Sequence, residues 1–236
     1  MTIPDVTRLY EVLEATWPPA AVHRAGPWII RDGQGGGKRV SAATASAPVT
    51  RADLPLAEAA MRDLGQPPLF MLRAGEDELD DLLAREGYRV VDPVSIHVMP
   101  AALTASPTDE VIPAWPPVAA QRLIWAQGGI GPERLAVMNR TRGPATTLLA
   151  RAGERAAGTA FVAADHDIAM LHAVEVAPGQ RRKGAGHNIL IAAARWAQDQ
   201  GCTWLSLVVT RANLPAQKLY SFAGMQAVGH YHYRMK

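Results

Sequence analysis

The chain has a single cysteine, Cys202, so no internal disulfide can form, and no Cys/His grouping has the spacing of a structural zinc site. Charge of one sign is also scarce. Lys and Arg total 24 against 22 Asp and Glu, a formal net charge of +2, too weak a field to argue for nucleic acid. No apolar run reaches membrane-spanning length, and the first residues carry Asp5, Glu11 and Glu14 where a secretory signal would be basic and then apolar. These absences lead to an expectation of a soluble, cytoplasmic protein with no metal, no nucleic acid and no membrane partner. What remains is a 236-residue chain, 48% hydrophobic, able to build one large core or two smaller ones and unlike a disordered segment.

Residues 104–117, TASPTDEVIPAWPP, contain four prolines, which remove backbone donors and disfavour a packed element. The expected organisation is an N-terminal domain over 1–103, a linker over 104–117 and a C-terminal domain over 118–236. Upstream, residues 4–15 read as a helix. Residues 28–30 and 40–44 read as strands around a glycine-rich loop, 69–72 as a strand, 76–85 as a helix and 89–99 as one or two strands. Downstream, helices are expected near 118–127 and 132–139 and strands near 145–150, 157–163 and 168–176. A strong helix at 187–200, a strand at 204–209, a helix at 215–222 and a strand at 226–234 follow. Both halves therefore end in strand, helix, glycine, strand, a weak internal duplication with Gly87 matching Gly224. The class is α/β.

The informative stretch runs from Val174 through Gly186. Pro178 stops a buried strand, and Gly184 and Gly186 let main-chain amides approach a ligand without Cβ interference. Those amides coincide with the positive end of a helix dipole, and Arg181, Arg182 and Lys183 add charge, so the turn suits an anion such as a diphosphate. A second run, Asn213 to Met225, places a good helix cap at Asn213 and Tyr220 nearly two turns further on. The loop Asp32–Arg39 lacks the leading glycine and the Ser or Thr of a phosphate loop and reads as a flexible hairpin.

The first run resembles the acetyl-CoA signature of the GNAT N-acetyltransferase superfamily, Arg-x-x-Gly-x-Gly or Ala, with Arg181, Gly184 and Gly186 at its fixed positions. The second resembles that family's N-x-x-A-x-x-L-Y-x-x-x-G-F pattern through Asn213, Ala216, Leu219, Tyr220 and Gly224, with Met225 in place of phenylalanine. The resemblance implies a GNAT fold, a mixed and mostly antiparallel central sheet flanked by helices. It also implies acetyl-CoA as cofactor, held by Val174, Val176, Arg181, Arg182, Lys183, Gly184, Ala185, Gly186, Asn213 and Ala216. Tyr220 would protonate the departing thiolate. Residues 171–176, L-H-A-V-E-V, are similar to a strand of the arylalkylamine N-acetyltransferases whose histidine helps relay a proton. His172 or Glu175 is then the base toward a primary amine of a small molecule or peptide. In a regular strand these two point to opposite faces, although the family carries a bulge here, so the sequence leaves the parity open.

By the same resemblance the N-terminal half would be a smaller, degenerate GNAT-like lobe, with Leu83 and Glu76 where Tyr220 and Asn213 stand, and a homodimer is allowed. The competing reading is a non-catalytic acyl-CoA-binding or interaction protein that keeps the fold.

Overall fold

The structure is a computed structural model and describes residues 2–102 and 110–236. The N-terminal half runs α1 (Val6–Thr16), β1 (Ala21–Ala25), β2 (Trp28–Asp32), α2 (Lys38–Ser41), β3 (Thr44–Ala45), α3 (Leu54–Asp63), β4 (Leu69–Arg73), α4 (Asp77–Arg85) and β5 (Arg89–Pro100). The C-terminal half continues with β6 (Val111–Ala114), α5 (Ala119–Gln127), α6 (Pro132–Asn139), β7 (Ala145–Ala152), β8 (Arg155–Asp165) and β9 (Ile168–Val176). It ends with α7 (Ala185–Asp199), β10 (Trp204–Thr210), α8 (Leu214–Phe222) and β11 (Gln226–Met235). Asp5 opens α1 by accepting the Thr7 N–H at 2.7 Å, and Asn213 opens α8 by accepting the Ala216 N–H at 3.2 Å, each satisfying a donor that a helix start leaves free.

Eight strands form one sheet in the order β4-β11-β5-β10-β9-β8-β7-β6, antiparallel except for the β9–β10 pair, and β1-β2-β3 form a small separate sheet. The mixed, mostly antiparallel sheet flanked by helices is therefore present. Strands from before and after residues 104–117 share this one sheet: β5 lies between β10 and β11, and β4 pairs with β11. Four strands read β4-β11-β5-β10, so the two strand–helix–strand units exchange their last strands about an approximate dyad. Two segments of the sequence reading need correction. Residues 40–43 are not a strand, and only Thr44 of the expected segment belongs to β3. Gly37 at φ 100° turns the chain, Ala42 N–H closes one helical turn onto Lys38 O, and Val40 becomes fully buried. Residues 111–114, inside the proposed linker, pair with β7, whose edge needs a partner; linker residues 104–109 lie outside the described residues.

On one face of the sheet α7 packs through Ile189, Leu190, Ala193, Ala194 and Ala197 against Leu171, Leu205 and Leu207. Burial of each large aliphatic side chain contributes about 1.5–3 kcal/mol. On the other face α1 lies across the strands, joining Leu9 and Leu13 to Ile96, Met170, Tyr231 and Tyr233. The final strand thus spends its tyrosines on packing, while His232 and Arg234 reach Asp80 of α4, the guanidinium at 2.7 Å, which holds that carboxyl below its ordinary value.

Candidate active site

β9 and β10 are paired from Ile168–Trp204 to Leu171–Leu207 and then part, since β10 continues with β5 alone. Residues 172–176 consequently present main-chain groups to an opening between the strands. A bulge sits at the same point. Phe161 pairs with His172 and Thr159 with Glu175, so β9 spends three steps where β8 spends two, and Ala173 takes φ 50°. This extra residue settles the parity. Leu171, Val174 and Val176 pack toward α7, whereas His172 and Glu175 both face α1 and α5.

His172 is buried at 3% exposure between the rings of Trp17 and Phe161, and its two nitrogens are engaged. Nδ1 lies 3.0 Å from Arg39 Nη1, which can only donate, so Nδ1 accepts and the ring proton belongs on Nε2. Nε2 then donates to Thr16 Oγ1 at 2.8 Å, and Thr16 donates to Val12 O at 2.6 Å. Burial, with the Arg39 charge adding to it, holds the imidazole pKa well below its ordinary value. Glu175 is differently placed. It is partly exposed beside the opening, its Oε1 is 3.3 Å from Arg181 Nη2, and its carboxyl fills the space left by Gly128 at the end of α5. Trp125 of α5 fixes the bulge by donating to Ala173 O at 2.7 Å.

After β9, Pro178–Gln180 forms a single 3-10 turn, and the chain enters α7 through Gly184, a left-handed N-cap at φ 90° with no side-chain cap. Among the described residues, the N–H groups of 183–187 have no acceptor, so the donors that a helix start leaves free are unsatisfied here. The charged side chains divide. Arg181 turns back to Val176 O at 3.2 Å and to Glu175, Lys183 closes the turn on Gly179 O at 2.9 Å, and Arg182, at φ 65°, is exposed. The close packing explains Gly186, where a Cβ would stand 3.1 Å from Leu219 of α8. That contact brings α8 to the same opening. Asn213 is exposed at its start, Ala216 packs against the core, and Tyr220 is buried among the α7-side residues with its pKa pushed up to about 12 by burial. The Tyr220 hydroxyl has no hydrogen-bond partner among the described residues, yet it is not one of the fully occluded polar atoms.

Residues invisible to the sequence reading complete the arrangement. His97 of β5 is buried with both ring nitrogens unpartnered, its ring 6.3 Å from that of Tyr220, and burial lowers its pKa. Thr16, Trp17 and Arg39 hold His172, and Gly128 admits Glu175. All come from distant segments.

The sequence pattern of the acetyltransferase (GNAT) family matches residues 108–225, which span β6, the bulged strand, the amide-rich turn and α8. The chain belongs to the GNAT family. Among curated relatives it is similar to the uncharacterized N-acetyltransferase YobR of Bacillus subtilis (strain 168), 26% identical over 98% of this chain and 99% of that one. Among solved structures, a GCN5-related N-acetyltransferase from Kribbella flavida covers 100% of this chain and 96% of its own at TM-score 0.71 and 17% identity. A tandem GNAT protein from the clavulanic acid biosynthesis pathway covers 97% and 87% at TM-score 0.62 and 13% identity. These two likenesses concern the fold. Family membership makes the chain an acyltransferase of GNAT type, and no helix among the described residues is long and apolar enough to cross a membrane.

Proposed function

We propose that the protein transfers an acetyl group from acetyl-CoA to a primary amine by direct attack. The observation that carries this reading is the set of unpaired amides at residues 183–187, at the start of the helix that follows the strand which parts from β10. A helix start of this kind suits a diphosphate, and the strand edge at Val174 and Val176, where the Val176 carbonyl also accepts from Arg181, would run beside an extended amide arm. Acetyl-CoA, when bound, supplies an activated acetyl thioester. Arg182 adds charge at the mouth, while Asn213 and Ala216 flank the groove from α8.

Glu175 is the better-placed base, because its carboxylate borders the opening and has room to accept the amine's proton. His172 serves to hold the bulge. Its Nδ1 lone pair is committed to Arg39, and protonation there would set two cations against each other inside the core. As the amine nitrogen bonds to the acetyl carbon, the carbon–sulfur bond breaks and Tyr220 gives its proton to the sulfur; a phenol near pKa 12 stays protonated at neutral pH and so is ready to donate. Amides along residues 172–176 stand where negative charge grows on the acetyl oxygen.

The N-terminal half we read as a smaller GNAT-like lobe that supports this cleft, on the strength of the exchanged strand–helix–strand units and the residues it lends to His172 and Tyr220. Calorimetry of the intact protein with acetyl-CoA, alongside thiol release from a panel of primary amines, tests the reading. Micromolar binding with amine-dependent release is expected. Failure to bind coenzyme A at all would overturn it, and binding without turnover of any amine would favour the non-catalytic acyl-CoA-binding alternative.

A further inference from the structure

A small recess, about 20 Å³ in volume, lies on the α1 face, walled by Tyr10, Leu13, Trp17 and Met71 and carrying three arginines. Its place is set by register. Arg73 stands opposite Tyr231, Tyr231 opposite Val94 and Val94 opposite Thr210, a row across the sheet at the end where β10 has left β9. On the other flank Arg39 reaches His172, one residue before the bulge. The recess therefore lies on the same face of the sheet as His172, which Arg39 joins to it.

The arginines are not equivalent. Arg31 is fully used, bonded to both carboxylate oxygens of Glu14 at 3.1 and 2.8 Å and to Ala42 O and Thr44. Arg39 and Arg73 have no ion-pair partner among the described residues. The Arg73 guanidinium donates to nothing, Arg39 donates only through Nη1, and the Nε atoms of both are occluded without a partner. Each instead lies over an aromatic ring, Arg39 5.7 Å from the centre of Trp17 and Arg73 5.0 Å from that of Tyr10. Stacking occupies the flat faces of a guanidinium, leaving both terminal nitrogens of Arg73 free for a bidentate oxyanion and Nη2 of Arg39 for a single further bond.

Glu14 is spent on Arg31, and Glu76, which accepts the Arg73 main-chain N–H at 2.7 Å, offsets part of the charge. Burial raises the Glu76 pKa. What is left suits one negative charge in apolar walls better than a dianion.

We infer that this recess binds a carboxylate on the acceptor, so that the substrate is an amine bearing a carboxylate, as an amino acid does, with Arg39 and Arg73 as its anchors. The inference rests on the acetyl-transfer reading for the amine, but the recess can be tested by itself. N-Acetylleucine, N-acetylleucinamide and inorganic phosphate are titrated into the full-length protein by calorimetry, and leucine is compared with leucinamide in the thiol-release assay. N-Acetylleucine is expected to bind roughly tenfold or more tightly than its amide. Arg73→Met should abolish that preference and raise the KM for leucine without changing the KM for acetyl-CoA. Arg73→Lys, which keeps the charge without the fork, should be intermediate and covers the case in which the methionine variant is unstable.

Equal binding of acid and amide, or phosphate displacing N-acetylleucine at equal concentration, overturns the carboxylate assignment. If N-acetylleucine binds in an Arg73-dependent way while no amine is acetylated, the recess stands and the transferase reading falls.

Discussion

Replacing Gly128 by alanine tests the role of Glu175 without touching it. Gly128 closes α5 at φ −85° and ψ 5°, a conformation open to any residue, so the substitution imposes no backbone strain. A Cβ built there stands 2.6 Å from both Cδ and Oε2 of Glu175 and 2.7 Å from Cγ. Non-bonded carbons prefer about 3.5–4 Å, so the carboxylate must retreat by roughly 1 Å. A shift of that size at a reacting group costs on the order of 100-fold in rate. Folding should not suffer, since the displaced atoms are the flexible end of a partly exposed side chain and Gly→Ala at a permissive site stabilises by about 0.4–1 kcal/mol. The expected result is therefore a kcat for acetyl transfer lowered about 100-fold, a melting temperature unchanged or higher, and an acetyl-CoA dissociation constant close to wild type. Thiol release under saturating acetyl-CoA, with thermal unfolding on the same samples, supplies the numbers. Wild-type turnover in Gly128→Ala, with Glu175 shown crystallographically to have moved, would refute the assignment of Glu175 as the base.

Tyr220→Phe removes a hydroxyl that has no protein partner among the described residues and is not fully occluded, so stability should stay within about 1 kcal/mol of wild type while kcat falls by about 10²–10⁴. Turnover within a few fold of wild type would remove Tyr220 from the reaction. His172 should make folding acid-sensitive. Its folded pKa lies below the ordinary 6.5, so the unfolded chain binds the proton first. Stability is complete above that pH and is lost below it, by up to about 1.4 kcal/mol per pH unit until the folded pKa is reached. His97 adds in the same direction. His172→Gln, which can still accept from Arg39 and donate to Thr16, should flatten melting temperature against pH between about 5 and 6.5. An unchanged slope would show that the burial of His172 is not what the protein feels in acid.

What the sequence made legible is what local physics encodes. The turn from Val174 to Gly186 and the α8 cap at Asn213 carry their own punctuation of proline, glycine and asparagine, and β9 is found at its expected bounds. The facing of His172 and Glu175 was not legible, because it hangs on one left-handed residue, Ala173, and alanine gives no local sign of φ 50°. Nor was Gly128, an ordinary helix terminus until Glu175 is folded against it. Arg39 and Thr16 lie 133 and 156 residues from His172, and their polar groups look like surface residues until burial makes each hydrogen bond obligatory. The loop at 32–39, read as a hairpin, is instead packed against α6: a Cβ at Gly36 would meet Val137 at 2.5 Å, which explains small residues there without any phosphate.

The exchange of last strands also decides which experiments can speak about the cleft. β5 is hydrogen-bonded along both edges by strands of the other half, from Trp204–Pro100 to Thr210–Val94 on one side and from Gln226–Val98 to Met235–Arg89 on the other. Deleting residues 1–103 would leave β10 and β11 with unpaired edges and open the α1-side core, so loss of activity after such a deletion reports a broken sheet. The same geometry places an N-terminal residue, His97, beside Tyr220 and another, Arg39, against His172 of β9. The N-terminal half thus shares the sheet with the C-terminal half, and only side-chain substitutions that leave β5 intact can separate its proposed contribution to binding from its contribution to folding.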